Sequence, residues 1–315
     1  MRITIIAGLV AYGGVVLADP LDDAFSRYQT LVEQGRNQEA LAFAEEAVRL
    51  SEKEHGKDHE TTAVYYNNLG LLCTDIKDFA RAERLLRQAL AINEKAAGEN
   101  RPEVAASLVN LGLLYSDVGD FVKAKPLLER ALAINEKAFG PDHSSVATIL
   151  NNLGALHKKT GHNETAAPFY KRALTISERE LGADHPRVAT LLNNLGAVYE
   201  APEDQAKAEA LFRRALAIYE KALGRDHPAT QRAAFHLQMF VLVRGVRTWT
   251  DATGRFSREA RFIELSDATV TLLLATGKRS RITVEKLSDD DQEHVFKIEA
   301  LRKKTIDLPD RDPFE

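Results

Sequence analysis

The sequence predicts an α + small β protein. A right-handed α-solenoid of helical hairpins, five repeats plus a capping helix, is followed by a small β-barrel module. Three observations predict it. The phrase "DHSSVATILNNLGALH" at Asp142–His157 returns as "DHPRVATLLNNLGAVYE" at Asp184–Glu200. Asn68, Asn110, Asn152 and Asn194 stand 42 residues apart, and Gly56, Gly98, Gly140, Gly182 and Gly224 keep the same step. A fixed period of this length marks a stacked-repeat architecture. Finally, the rhythm stops near Arg244 and short β-prone runs take over.

The first element precedes the repeats. "MRITIIAGLVAYGGVVLA" carries one basic residue, Arg2, then an apolar run to Ala18. The run is shorter than the ~20 residues that span a bilayer comfortably. Val16 and Ala18 place small residues before Asp19, the layout of a cleaved secretory signal; an uncleaved anchor is the other reading. Residues 1–18 are therefore expected to be a signal peptide cut after Ala18, giving an exported protein, periplasmic or secreted, with no stable membrane span after cleavage. The composition, 44% hydrophobic and 28% charged, is that of a soluble globular chain. A net charge of −4 gives no basic footprint for nucleic acid. One cysteine cannot form an internal disulfide, and Cys73 lies among Leu71, Leu72 and Ile76, which favours a buried thiol over a reactive one.

Each repeat reads as two helices. In the clearest unit these run from Pro102 to Val118 and from Phe121 to Ala138, around a Gly119-Asp120 turn. Leu108, Leu111, Gly112 and Tyr115 recur at helical spacing in the first, and Ala124, Leu128 and Ala131 in the second. The small residues Gly112 and Ala124 let the helices approach closely. Gly140 is expected to end its helix in a left-handed conformation. Asp184 or His185, before Pro186, caps the next helix. A degenerate unit covers about 21–54, and a lone helix from Ala229 to Val243 closes the array at 244. No hairpin can bury its apolar stripe alone, so neighbours stack.

These units resemble the tetratricopeptide repeat in the form seen in kinesin light chains. Leu69, Gly70, Ala82 and Ala89 carry the likeness in one unit, and Leu195, Gly196, Tyr199, Ala208, Phe212 and Ala215 in another. With the Leu-Gly pair at positions 7 and 8 of each first helix, positions 2, 6, 9 and 13 face away from the partner helix, toward the concave side of a curved solenoid. Position 6 is Asn68, Asn110, Asn152 and Asn194; position 9 includes Leu71 and Leu113; position 13 passes from Asp75 and Asp117 to Lys159, with Lys158 beside it. An amide offers both donor and acceptor, which suits the backbone of an extended peptide. The resemblance supports this, since in kinesin light chains the corresponding asparagines face cargo peptides. The plainer alternative is that these asparagines set the stacking angle between repeats, and that Lys158 and Lys159 are a solvated pair.

His59, His143, His185 and His227 recur in the loops. Equivalent points in successive units lie ~8–10 Å apart, whereas zinc needs nitrogens ~2 Å from the ion. They therefore read as capping residues, and no metal or other cofactor is expected.

From Arg247 onward, β-prone runs near 247–250, 258–265, 269–274 and 280–284 alternate with turn signals at Thr253-Gly254, Ser266-Asp267 and Thr276-Gly277. Ser288, with Asp291 three residues on, opens a helix. Trp249, Phe256, Phe262, Val270, Leu272, Ile282, Val284 and Leu287 fill a small core, although Trp249 could instead be a binding platform. Arg247, Thr248, Trp249, Thr253, Gly254, Ala260, Phe262, Val270, Leu272, Gly277, Val284 and Lys286-Leu287-Ser288 make this stretch, 245–300, resemble the first Sla homology domain. The resemblance implies an SH3-like barrel and, by analogy with a yeast endocytic adaptor, recognition of Asn-Pro-Phe-x-Asp peptides. Residues 301–315 read as a flexible acidic tail ending in "DPFE".

No phosphate-cradling loop, nucleophile elbow or His-Glu-x-x-His motif is present, so the chain does not read as an enzyme. The leading expectation is an interaction scaffold with a protein or peptide partner. The alternative is a small-ligand sensor with a pocket between array and barrel.

Overall fold

The computed structural model describes residues 19–199, 204–244, 247–255, 257–266, 268–274 and 278–304. The helices pair as hairpins: α1 (Pro20–Glu33) with α2 (Asn37–His55), α3 (Glu60–Asp75) with α4 (Phe79–Ala97), α5 (Pro102–Asp117) with α6 (Phe121–Phe139), α7 (Ser144–Lys159) with α8 (Asn163–Leu181), and α9 (Pro186–Gly196) with α10 (Gln205–Leu223). A single helix α11 (Pro228–Arg244) follows, then strands β1 (Arg247–Thr250), β2 (Ser257–Ser266), β3 (Thr269–Leu274) and β4 (Arg279–Thr283), and helix α12 (Asp289–Lys304). Five hairpins, a capping helix and a β module are the expected architecture. The expected signal segment, 1–18, and residues 305–315 lie outside the described residues. Helix α12 continues to Lys304, beyond the 301 at which the tail was expected to begin. Among the described residues no helix is long and apolar enough to cross a membrane.

The chain divides into two compact units between Ile176 and Ser177, inside α8. In the first unit one apolar core runs from Leu21 to Leu156. The hairpins close because the first helix lacks a side chain where the second must approach. A Cβ on Gly112 would lie 3.0 Å from Leu128 Cγ, and one on Gly154 only 2.8 Å from Tyr170 Cε1. Turns between the helices are fixed by short caps: Asp120 accepts from the Lys123 N–H at 3.2 Å. Between hairpins the chain departs from expectation. Gly140 has φ 90° and ψ 160°, a positive φ with an extended ψ rather than the left-handed helical turn. That region is essentially open to glycine alone, and the extended ψ carries the chain toward the start of α7.

In the second unit the Thr190 and Tyr219 hydroxyls bond at 2.7 Å between α9 and α10. Phe240 of α11 packs on Phe212, ring centroids 5.1 Å apart. The sheet is antiparallel in the order β1-β2-β3-β4, with Phe262 opposite Leu272 and Val270 opposite Ile282. The expected barrel closes only through a bridge. After β4 a single 3₁₀ turn, Val284–Lys286, brings the chain back to β1, where Ala252 N–H donates to Lys286 O at 2.9 Å and Ser288 N–H to Thr250 O at 2.8 Å. Trp249 belongs to the core: it is 4% exposed among Phe262, Val270, Leu272, Val295 and Ile298, and its indole N–H donates to Ala260 O at 3.1 Å. Leu242 and Val243 of α11 pack on this same core, so the boundary expected at 244 runs through contacts that tie α11 to the module. Ser288 caps α12, and the buried Asp291 carboxylate accepts from Ser288 Oγ at 3.0 Å and from the Thr250 N–H at 2.6 Å.

Candidate functional site

The candidate wall is built by the first helix of each hairpin. In the first unit Asn68 is 2% exposed, Asn110 0% and Asn152 3%, while in the second unit Asn194 is half-buried. In the first unit the three amides are thus sunk below the surface. Leu71 is buried with them, Leu113 is half-buried, and Lys158 and Lys159 are exposed. Lys159 is more than a solvated cation, because its ammonium reaches Asp117 Oδ1 and Ser116 Oγ, each at 3.3 Å. The change of sign along position 13 therefore joins α7 to α5.

The amides divide their labour. Asn67, one residue before the ladder, donates to Ser107 Oγ at 3.1 Å, and Asn93 of α4 donates to the same oxygen at 2.9 Å. At this repeat the bond between hairpins is made by Asn67 rather than by Asn68. Asn68 has no hydrogen-bond partner at either amide atom although it is buried. Leaving such a group unmet costs about 1–3 kcal/mol.

A second periodic contact was missed by sequence reasoning. Arg130 donates to Glu94 at 2.6 Å and to the Glu99 carbonyl at 3.0 Å. Arg172 pairs with Glu136 at 2.7 Å and donates to the Pro141 carbonyl at 2.7 Å. In the second unit Arg214 pairs with Glu178 at 2.6 Å and donates to the Ala183 carbonyl at 3.4 Å. Each clamp ties a second helix to the loop and second helix of the hairpin before it. All three partners recur at the repeat period, so the signal was in the sequence. The first interval differs: Gln88 stands where the arginine would be, and Glu52 instead accepts from the Tyr66 hydroxyl at 2.5 Å. Burial, and then Glu52, push that phenol above its ordinary range. A cavity of about 540 Å³ opens there, lined by Glu52, Tyr66, Arg81, Arg84 and Gln88.

The loop histidines cap helices, as expected. Cys73 is fully buried, and burial pushes its thiol up to about 11, so it is protonated and unreactive near neutrality.

Hairpins repeating at one period, closed by glycine under a bulky partner and clamped in series, define a helical-repeat scaffold. The chain belongs to the tetratricopeptide repeat family, whose pattern it matches over residues 29–95, 103–179 and 164–221. Residues 242–303 match SLA1 homology domain 1. Among curated proteins none matches the chain. Solved structures do. BtubC (BKLC) from P. vanneervenii is 26% identical, with a TM-score of 0.54 over 71% of this chain and 84% of that one. A kinesin light chain-type structure from Podosopora anserina with nearly identical TPR-like repeats is 23% identical, with a TM-score of 0.54 over 64% and 95%. The Rap conjugation gene regulator of plasmid pLS20, in complex with the Phr* peptide, is 17% identical, with a TM-score of 0.57 over 73% and 64%. The fold is that of a protein–protein interaction scaffold.

Proposed function

We propose that the chain is a non-catalytic scaffold of an exported compartment, and that it takes an extended segment of a partner along the face of the first unit carrying Asn68, Asn110 and Asn152. The observation that carries this reading is the Asn68 amide, buried with donor and acceptor both unmet. An extended backbone alternates the same two functions. The half-buried Leu113 beside the ladder offers apolar contact, and a protein of the same fold is solved with a peptide bound. The apolar run ending at Ala18 supports export.

Peptides selected on the chain beginning at Asp19 from a random displayed library test the groove. Their affinities are read by fluorescence polarisation on wild type and on an Asn68→Leu, Asn152→Leu variant, which keeps the volume and removes the amides. The expected result is at least a tenfold weaker complex with an unchanged Tm. Peptides that bind both proteins equally, or no enriched peptide at all, overturn the groove. N-terminal sequencing of the protein from its source tests the compartment, with Asp19 expected as the first residue; a retained Met1 overturns export by cleavage.

A further inference from the structure

Four of the loops that lead from one hairpin into the next end in Asp-His: Asp58-His59, Asp142-His143, Asp184-His185 and Asp226-His227. In all four the imidazole Nδ1 accepts from the backbone N–H two residues on. The donors are Thr61 at 3.2 Å, Ser145 at 3.2 Å, Arg187 at 3.1 Å and Ala229 at 3.2 Å. The remaining loop carries Arg101 at the same place, and α5 has no side-chain cap. An Nδ1 that accepts has its lone pair free, so the ring proton is on Nε2 and the imidazole is neutral. A second proton takes that lone pair. It turns acceptor into donor, sets the new N–H against the backbone N–H it had capped, and places a positive charge at the positive end of the helix dipole; at His143 the Ser145 hydroxyl, 2.9 Å from the same nitrogen, offsets part of this. Serine, threonine and asparagine cap helices equally well without titrating.

We propose that these four histidines make the repeat array a pH-sensitive stack, held at neutral pH and loosened as the imidazoles take up protons.

The charges around each ring set the balance. His59 stacks on His55 of α2 at 5.3 Å and has Glu60 and Asp58 beside it, Asp58 pairing with Lys95 of α4 at 3.6 Å. His143 stacks on Phe139 of α6 at 4.7 Å, next to Asp142, with the Arg172 clamp of α8 on the same loop. His185 lies between Arg187 and Asp184, whose carboxylate is held by Lys221 of α10, with the Arg214 clamp on the loop. His227 follows Arg225, which pairs with Glu220 of α10 at 3.5 Å, and Asp226. Burial first, and Arg187 second, hold His185 below the ordinary imidazole range. For His185, neutral when folded and more basic when unfolded, the stabilisation is complete above the unfolded value of about 6.5. It is lost as pH falls through the lower folded value. His157 acts in the same direction, lowered by burial and then by Lys125, so it is left in place throughout the test.

Thermal unfolding of the chain from Asp19, followed by far-UV circular dichroism at constant ionic strength, compares pH 7.5 with pH 5.5. Wild type is expected to lose on the order of 5–10 °C in Tm. A variant with His59→Asn, His143→Asn, His185→Asn and His227→Asn is expected to lose less than half of that. Equal losses in the two proteins overturn the proposal. Should the fourfold variant fail to fold, hydrogen exchange on wild type decides. After correction for intrinsic rates, protection at Thr61, Ser145, Arg187 and Ala229 is expected to fall at pH 5.5, while Glu103, at the start of the uncapped α5, keeps its own. A uniform change, or none, overturns it.

Discussion

Gly112 and Trp249 stand at opposite ends of this chain's packing. In hairpin α5–α6 an absent side chain lets Leu128 seat against the backbone, and the same device returns at Gly154 beneath Tyr170. In the module a single indole fills the space between β2, α11 and α12, and nothing repeats it. Stability in an array is close to a sum of similar terms, each depending on its neighbours. Stability in a small single core rests on a few large side chains. A lesion in the array is therefore expected to be graded and local, whereas one at the centre of the module removes the module.

Trp249→Ala gives the largest expected effect. Large aromatic-to-alanine changes in cores cost about 3–5 kcal/mol, and here the hydrogen bond to Ala260 O is lost as well. Native-state hydrogen exchange followed by mass spectrometry should show β2, β3 and α12 unprotected while α3 to α7 keep wild-type protection. If the repeat helices lose protection in equal measure, the two regions unfold as one and the contrast fails.

The contrast also governs what the sequence makes legible. Periodicity announces helix pairs because every hairpin repeats the same physical requirement, and the bounds of α5, α6 and α11 fell within a residue or two of expectation, whereas α9 stops at Gly196, short of the full-length first helix that the repeat pattern implied. The strands of the module were legible from alternation and turn residues. Its bridge-only closure was not, since it depends on a three-residue turn that no local pattern marks. In the candidate wall, periodicity found the asparagine ladder. It could not show that Asn68, Asn110 and Asn152 lie below the surface, because depth is set by the neighbouring hairpins. Nor could it say which of two adjacent asparagines, 67 or 68, bridges to Ser107. That choice depends on the register between helices that are not consecutive in the chain.

Gly154→Ala probes the repeated term. Its new Cβ would meet the ring of Tyr170, which is 1% exposed and has no room to retreat, and overpacking of this kind costs about 1–3 kcal/mol. Gly112→Ala should cost less, because Leu128 meets it from 3.0 Å with a flexible branched side chain. Urea denaturation of the two variants, with unchanged m-values, should rank them in that order. A reversed order would mean that hairpins of the same sequence pattern do not close in the same way.

Gln88→Arg carries the smallest effect and the finest comparison, that between the first interval of the array and those after it. The new guanidinium would face Glu52 and the loop at Lys57, as Arg130 faces Glu94 and the Glu99 carbonyl. Exposed pairs contribute about 0.2–1 kcal/mol, and two effects reduce the gain here. Glu52 already accepts from Tyr66, and Arg84 lines the same cavity with like charge, beside an Arg81 that is paired with Glu45 at 2.6 Å. A net stabilisation of about 0.5 kcal/mol or less is expected, read from the urea midpoint. The reciprocal change, Arg172→Gln, should cost a similar amount, since Arg172 is 39% exposed in its pair with Glu136. If Gln88→Arg destabilises while Arg172→Gln behaves as expected, the cations around the cavity outweigh the clamp. The Tyr66–Glu52 contact would then be a distinct solution for the first interval, and the cavity beside it a feature maintained by charge.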